Sequence, residues 1–263
     1  MIEPQDSEAL AALARRGVTS TRWAGKSLVF VRETGSTNDD VREAARRGAE
    51  HGYTVVADAQ TSGRGRRGRV WHSPVGANLT FSLLTRPRIA VEESPMLALA
   101  VGLAVARALD RFVDARAVSV KWPNDVRIHK KKCAGVLVEG VVREGLLDAA
   151  VVGIGLNVFA RPWPEALAHS ATCIEEHARE SLSRAEVLVA VLEACERTID
   201  AMLLGGSARR ALVRELASRC DTLGTRVDID GVSGVALRID DDGGLVVRGD
   251  DGVERVVRSG EIR

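Results

Sequence analysis

Aromatic residues are scarce in this chain of 263 residues, which has four Trp, four Phe and one Tyr, and it has almost no excess of charge, since 37 Lys and Arg face 36 Asp and Glu. Neither property suits a dedicated nucleic-acid binder, which needs surplus positive charge and aromatic planes on which bases stack. Cys133, Cys173, Cys195 and Cys220 lie far apart and form no C-x-x-C pair, so neither a zinc knuckle nor a disulfide framework is indicated and reduced core thiols are expected. The five histidines show no H-E-x-x-H spacing, and no G-x-S-x-G marks a nucleophile elbow. No apolar run is long enough to span a bilayer, and the acidic start of the chain has no signal-peptide core. A cytoplasmic protein with no membrane partner is expected.

The periodicity of the chain predicts an α+β fold, a mixed β-sheet flanked by helices. Helices are expected at 7–16, after Ser36 to Arg47, at 94–112, 184–204 and 208–218. Strands are expected near 28–31, 53–58, 78–84 and 118–121, with an antiparallel pair at 133–139 and 146–156. From about Cys220 the texture changes to short β-rich runs separated by Asp/Gly turns, which suggests a small appended β-barrel. The domains are accordingly read as 1–218 and 219–263. Ser36-Thr-Asn-Asp39 has the form of a capping box.

Gly63-Arg-Gly-Arg-Arg-Gly-Arg69, followed by Trp71, combines backbone freedom, planar cations and an aromatic plane. Such a loop suits a phosphorylated, base-bearing ligand. It matches the letter of the dinucleotide fingerprint, but no helix opens at Gly68 and no acidic residue ends the following strand, so that reading is rejected. The alternative is a solvated arginine loop. Lys121-Trp-Pro-Asn-Asp125 puts a lysine, an amide and a carboxylate at a strand end, where Lys121 can neutralise a phosphate and Asp125 can hold Mg²⁺; a surface turn with a salt bridge is the alternative. Lys130-Lys-Lys132 reads as a solvated charge run, except that Lys132 opens a strand carrying Gly135. Gly153-Ile-Gly-Leu-Asn157 lies on an apolar strand, where two glycines weaken packing unless something approaches closely.

In this order and spacing, Gly35-Ser-Thr-Asn38, Gln60 to Arg69 with Trp71, Lys121 to Asp125, Lys132 to Glu139 and Gly153 to Asn157 resemble the biotin protein ligases. The resemblance spans from about Val29 to Ile262. It implies a catalytic domain like that of class II aminoacyl-tRNA synthetases and a C-terminal SH3-like β-barrel. It further implies a reaction in two steps, in which biotin and ATP give biotinyl-5′-adenylate and pyrophosphate, and a lysine of a biotin carboxyl carrier domain then takes the biotinyl group. The resemblance assigns biotin contacts to Ser36, Thr37, Asn38, Gln60, Arg64, Gly65, Arg66, Lys132 and Gly135. The catalytic cations are expected to be Arg66, Lys132 and Lys121. ATP or adenylate contacts are expected from Arg67, Arg69, Trp71, Asn124 and Asn157, with Asp125 toward Mg²⁺.

Some family members carry a DNA-binding domain ahead of the catalytic one. Here about one helix precedes the first strand, so no repressor role and no DNA partner are expected. Ser170-Ala-Thr-Cys-Ile174 departs from the family pattern, leaving the connection after Asn157 open. A lipoate ligase is the nearest enzymatic alternative, and a nucleic-acid-binding module the non-enzymatic one. A homodimer is possible, with Val151 to Leu156 able to line its interface or to fill a core.

Overall fold

A computed structural model describes residues 4–262. Helix α1 (Pro4–Arg16) precedes strand β1 (Leu28–Thr34), helix α2 (Thr37–Arg46), β2 (Thr54–Gln60), β3 (Asn78–Thr85) and the short β4 (Ile89–Ala90). Helix α3 (Ser94–Leu109) leads to β5 (Val118–Lys121), β6 (Asp125–Ile128), β7 (Lys131–Arg143) and β8 (Leu146–Asn157). Helices α4 (Arg184–Leu204) and α5 (Gly206–Arg219) follow, then β9 (Arg226–Ile229), β10 (Val232–Ile239), β11 (Leu245–Arg248) and β12 (Glu254–Val257).

The main sheet runs β1-β2-β3-β8-β7-β6-β5, with β4 added to β8. Only β1 and β2 run parallel; the other pairs are antiparallel. Because side chains alternate across a strand, each central strand serves two different layers. Val56, Leu83, Val152 and Ile154 face the main core, which α3 and α4 complete. Helix α3 is apolar on nearly every side and is correspondingly buried on nearly every side. On the opposite face Val55, Leu84 and Val151 meet Val41 of α2 in a smaller cluster. That second face, beyond the end of α2, carries the site.

Two buried charges tie the layers together. Arg184, at the start of α4 and wholly buried, meets Asp6 of α1 and lies 2.6 Å from Asp58 of β2. Glu196 accepts the backbone N–H groups of Arg22, Trp23 and Ala24, which fixes the loop after α1.

The C-terminal strands form a four-stranded antiparallel sheet, β12-β11-β10-β9. Its inner side chains, among them Val227, Ile229 and Leu245, belong to the same apolar cluster as the main core. Trp122 is wholly buried and donates its indole N–H to Gly243 O at 3.1 Å. The C-terminal sheet is thus seated on the turn after β5. One open reading is narrowed and one expectation changes. Strand β8 is flanked by β3 and β7, so Val151 to Leu156 fill the sheet interior and present no edge to a partner. The stretch from Asp125, expected only as a strand end, starts a four-residue strand of its own, with Lys121 paired to Asp125 across the turn.

Candidate active site

A cavity of about 500 Å³ opens over β3, β8 and β7 beside the N-terminus of α2. Its floor is made by strand register. Gly153 sits opposite Ser82 on β3, and Gly155 sits between Thr80 on β3 and Gly135 on β7. A Cβ at Gly153 would overlap the Asn38 amide, and one at Gly155 would overlap the Trp71 indole. At Gly135 it would stand 3.2 Å from Lys132 Nζ and 3.4 Å from the Trp71 ring. The glycines of β8 therefore clear space on one face of the sheet while Ile154 and Leu156 fill the core on the other.

One end of the cavity is a closed network of polar side chains. Thr37 donates its backbone N–H to Gln60 Oε1 at 2.8 Å. Its hydroxyl lies 2.7 Å from Ser82 Oγ, and Ser82 donates to Asn38 Oδ1 at 2.6 Å. Since Ser82 has one proton and gives it to Asn38, the Thr37 hydroxyl is the donor toward Ser82 or Gln60. Asn38 Nδ2 in turn donates to Glu139 Oε2 at 2.6 Å, an oxygen that Arg42 also reaches at 2.8 Å. Asn38 is held at both ends of its amide, which leaves one lone pair and one N–H, while Gln60 Nε2 has no acceptor among the described residues.

The capping box does not form. Ser36 is the N-cap residue in extended conformation, but its side chain makes no cap hydrogen bond and lines the cavity. Asp39 instead accepts a two-pronged contact from Arg64, 2.7 Å at each prong, and a third hydrogen bond from Arg42. The Arg64 hydrogen bonds lead in holding the Asp39 carboxyl below its ordinary range. A two-pronged guanidinium contact competes well against a single backbone N–H.

The other end is cationic. Arg66, Arg69, Lys121, Arg127, Lys130 and Lys132 line it, against one acid, Asp125. Lys132 Nζ lies 2.7 Å from Asp125 Oδ1, yet that buried oxygen accepts no aligned hydrogen bond. Arg66 reaches Asn124 Oδ1 at 3.3 Å. Burial, then the Arg67 charge, depresses the pKa of Arg66; burial, then Arg127, depresses that of Lys121. The Trp71 indole lies across the floor with Lys132 Nζ 5.7 Å from its ring centre, and its buried N–H has no hydrogen-bond partner among the described residues.

Most of the residues singled out in the sequence are brought together here: Ser36, Thr37, Asn38, Gln60, Arg64, Gly65, Arg66, Arg69, Trp71, Lys121, Asn124, Asp125, Lys132, Gly135 and Asn157. Arg67 is not. Its backbone is left-handed, φ 55°, and its exposed side chain pairs with Asp230 of the C-terminal sheet. Asn157 donates to Thr172 O at 3.0 Å, bracing the segment that departs from the family pattern. That segment bonds alongside Lys132, and Ser170, Ala171, His169, Leu167 and Trp163 wall the cavity. Nothing local in their sequence places them at the cavity, because pairing with Lys132 and Asn157, far back in the chain, brings them in.

Comparison with known proteins bears on this arrangement. Residues 30–157 match the biotin/lipoate A/B protein ligase family. The bifunctional ligase/repressor BirA of Bacillus subtilis is 33% identical over 240 residues, covering 90% of this chain and 74% of that protein. The chain belongs to the biotin protein ligase family. The biotin--[acetyl-CoA-carboxylase] ligase of Mycobacterium tuberculosis is 34% identical over 232 residues, 84% of this chain and 82% of that one. The biotin protein ligase of Aquifex aeolicus, solved in complex with biotin and ATP, superposes with a TM-score of 0.75 at 31% identity, covering 90% of this chain and 97% of that chain. No helix among the described residues is long and apolar enough to cross a membrane.

Proposed function

We propose that this ligase activates biotin with ATP and passes the biotinyl group to a lysine of a biotin carboxyl carrier domain. The observation that carries the reading is the pairing, in one cavity, of a neutral hydrogen-bonding end with a cationic end that holds a single acid. The ureido group of biotin needs donors and acceptors together; Ser36 Oγ and Gln60 Nε2 supply them, while Thr37, Asn38 and Ser82 hold the frame. The carboxylate then points toward Lys132 and Arg66.

A carboxylate oxygen attacks the α-phosphorus, the bond to the bridging oxygen breaks, and pyrophosphate leaves with the electron pair. Both reactants are anions, so the barrier falls only if fixed cations offset the charge that gathers between them. Arg66, Lys132 and Lys121 fill that role without abstracting a proton. In the second step the amine of the acceptor lysine attacks the acyl carbon and AMP departs.

Trp71 and Asn157 serve the adenylate, and Arg69 borders it from the loop. Mg²⁺ fits this end in the company of substrate phosphates: Asp125 has a buried oxygen without an aligned donor and Asn124 stands beside it. Among the described residues no cluster of three or more His, Cys, Asp or Glu forms a closed cage. A magnesium ion commonly uses one or two carboxylates together with phosphate oxygens, and when bound it would screen phosphate charge. Residues 219–263 act as a C-terminal unit that buttresses the cationic end.

Isotope exchange between pyrophosphate and ATP, run with biotin, with lipoate and with neither, tests this reading. Biotin-dependent exchange is expected; exchange with lipoate alone would overturn the substrate. Arg66→Gly should release the adenylate and label lysines of unrelated proteins, and absence of such labelling would count against a retention role for the arginine loop.

A further inference from the structure

A second cavity, of about 260 Å³, lies where β5 and β6 meet the segment between α5 and β9, and it shares Lys121, Arg127 and Lys130 with the first. Its remaining lining includes one acid, Asp221, and the residues Thr222, Thr225 and Ile262. Three cations against one carboxylate leave a net excess of two positive charges.

The turn that presents Lys130 is unusual. Ile128 pairs with Lys131, so His129 and Lys130 alone connect β6 to β7. Both are left-handed, with φ of 48° and 65°. Two-residue turns of this kind favour Asn-Gly, since side chains with a Cβ are disfavoured at positive φ. Lys130 accepts that conformational cost, and within the described residues it makes no hydrogen bond or ion pair in return. Arg127 is incompletely used as well. Its Nη1 lies 3.2 Å from Asp221 Oδ2, an oxygen that Ser119 also reaches at 3.0 Å, while its Nε is buried with no partner among the described residues. A guanidinium tethered at one end, with a buried N–H open, is prepared for a further acceptor.

We infer that the smaller cavity takes the β- and γ-phosphates of the nucleotide and the pyrophosphate that leaves, held by Lys130 and Arg127. This rests on the proposed adenylation reading and extends it. With Lys132 and Arg66 at the reacting carboxylate, the leaving group must depart away from them along the cations, and Lys121 stands at the junction of the two cavities.

Calorimetric titration of inorganic pyrophosphate into the full chain tests the inference. Lys130→Gly suits the left-handed turn and should keep the fold, yet weaken pyrophosphate binding by about tenfold, the loss expected of one charge-assisted contact. Lys130→Arg should retain most of the affinity. Lys131→Ala removes an equal charge next door, outside either cavity, and should bind like the unaltered chain. Equal affinity in the unaltered chain and Lys130→Gly, or an equal loss in Lys131→Ala, would overturn the assignment. So would failure of the unaltered chain to bind pyrophosphate, whatever the exchange assay shows; a failed exchange assay alongside Lys130-dependent binding would sink the adenylation reading and leave this site standing.

Discussion

At the α2 end of the cavity each charged side chain meets an opposite charge: Arg64 and Arg42 close on Asp39, and Arg42 also meets Glu139. At the β5–β6 end, Lys121, Lys130 and Arg66 form no ion pair among the described residues. Arg69, Arg127 and Lys132 of that end are paired, with Glu261, Asp221 and Asp125, so the contrast rests on the three cations left over. In the proposed assignment, paired charges hold a frame for the mostly neutral biotin, and they cost little because each is satisfied in advance. Unpaired cations repel one another until an anion arrives, so part of the attraction for phosphate is stored in the protein before binding.

That contrast can be broken at several points. The largest effect is expected from Lys132→Ala, which should lower biotin-dependent pyrophosphate exchange by about 10²- to 10³-fold, as for loss of one preorganised charge at a reacting centre. A loss of only a few-fold would mean that Arg66 alone suffices. Next is Gly153→Ala, whose new Cβ would displace the Asn38 amide and disturb Ser82 and Glu139 with it. Biotin affinity, read by calorimetry, should fall by roughly ten- to a hundredfold, the scale of one or two buried hydrogen bonds. Pyrophosphate affinity should hold; a parallel fall would show that the two ends are one unit.

A pH profile sharpens the comparison from the other side. Lys121 has its pKa lowered chiefly by burial, so as pH rises it discharges before an ordinary lysine does. Exchange activity should decline on the alkaline side below the ordinary lysine value of about 10.4, and Lys121→Arg should move that limb upward. Stability takes the opposite sign. Between the lowered native pKa and the ordinary one, the unfolded chain holds more protons on Lys121 than the native chain does, so this residue's contribution to stability grows with pH there. An unmoved limb in Lys121→Arg would remove Lys121 from the charge-neutralising set. The smallest effect belongs to Glu261→Gln, which removes the exposed partner of Arg69 at 2.7 Å. Thermal unfolding should register less than about 1 kcal/mol, as for other surface pairs.

Much of the site is legible in the chain because its parts are local. The loop from Gly63 to Trp71 announces phosphate and base chemistry, and the two glycines of β8 ask for a close neighbour, which the structure supplies as Asn38 and Trp71. The capping form of Ser36 to Asp39 misleads because it counts only groups three residues apart. Arg64, brought in by the loop, binds Asp39 better than a backbone N–H does. Arg66 and Arg67 cannot be told apart as neighbours in a sequence. The left-handed backbone at Arg67 turns it out to Asp230 while Arg66 stays in the cavity. Strand β6 is too short for periodicity to reveal, and its register decides that Asp125 and Arg127 face the cavity while Val126 and Ile128 enter the core.

By itself the sequence determined which residue types are available, the order of the elements and the chemistry of the arginine loop, since these rest on spacing, turn residues and side-chain donors over short stretches. Only the tertiary structure decided that Ser82 and Glu139 hold Asn38, that residues 163–171 wall the cavity, and that Lys121, Arg127 and Lys130 stand together beneath the C-terminal sheet. Asn38, Ser82 and Glu139 are dozens of residues apart, and so are Lys121 to Lys130 and the C-terminal strands that begin at Arg226. Strand register and the packing of two layers bring them within reach, and no local pattern encodes that distance.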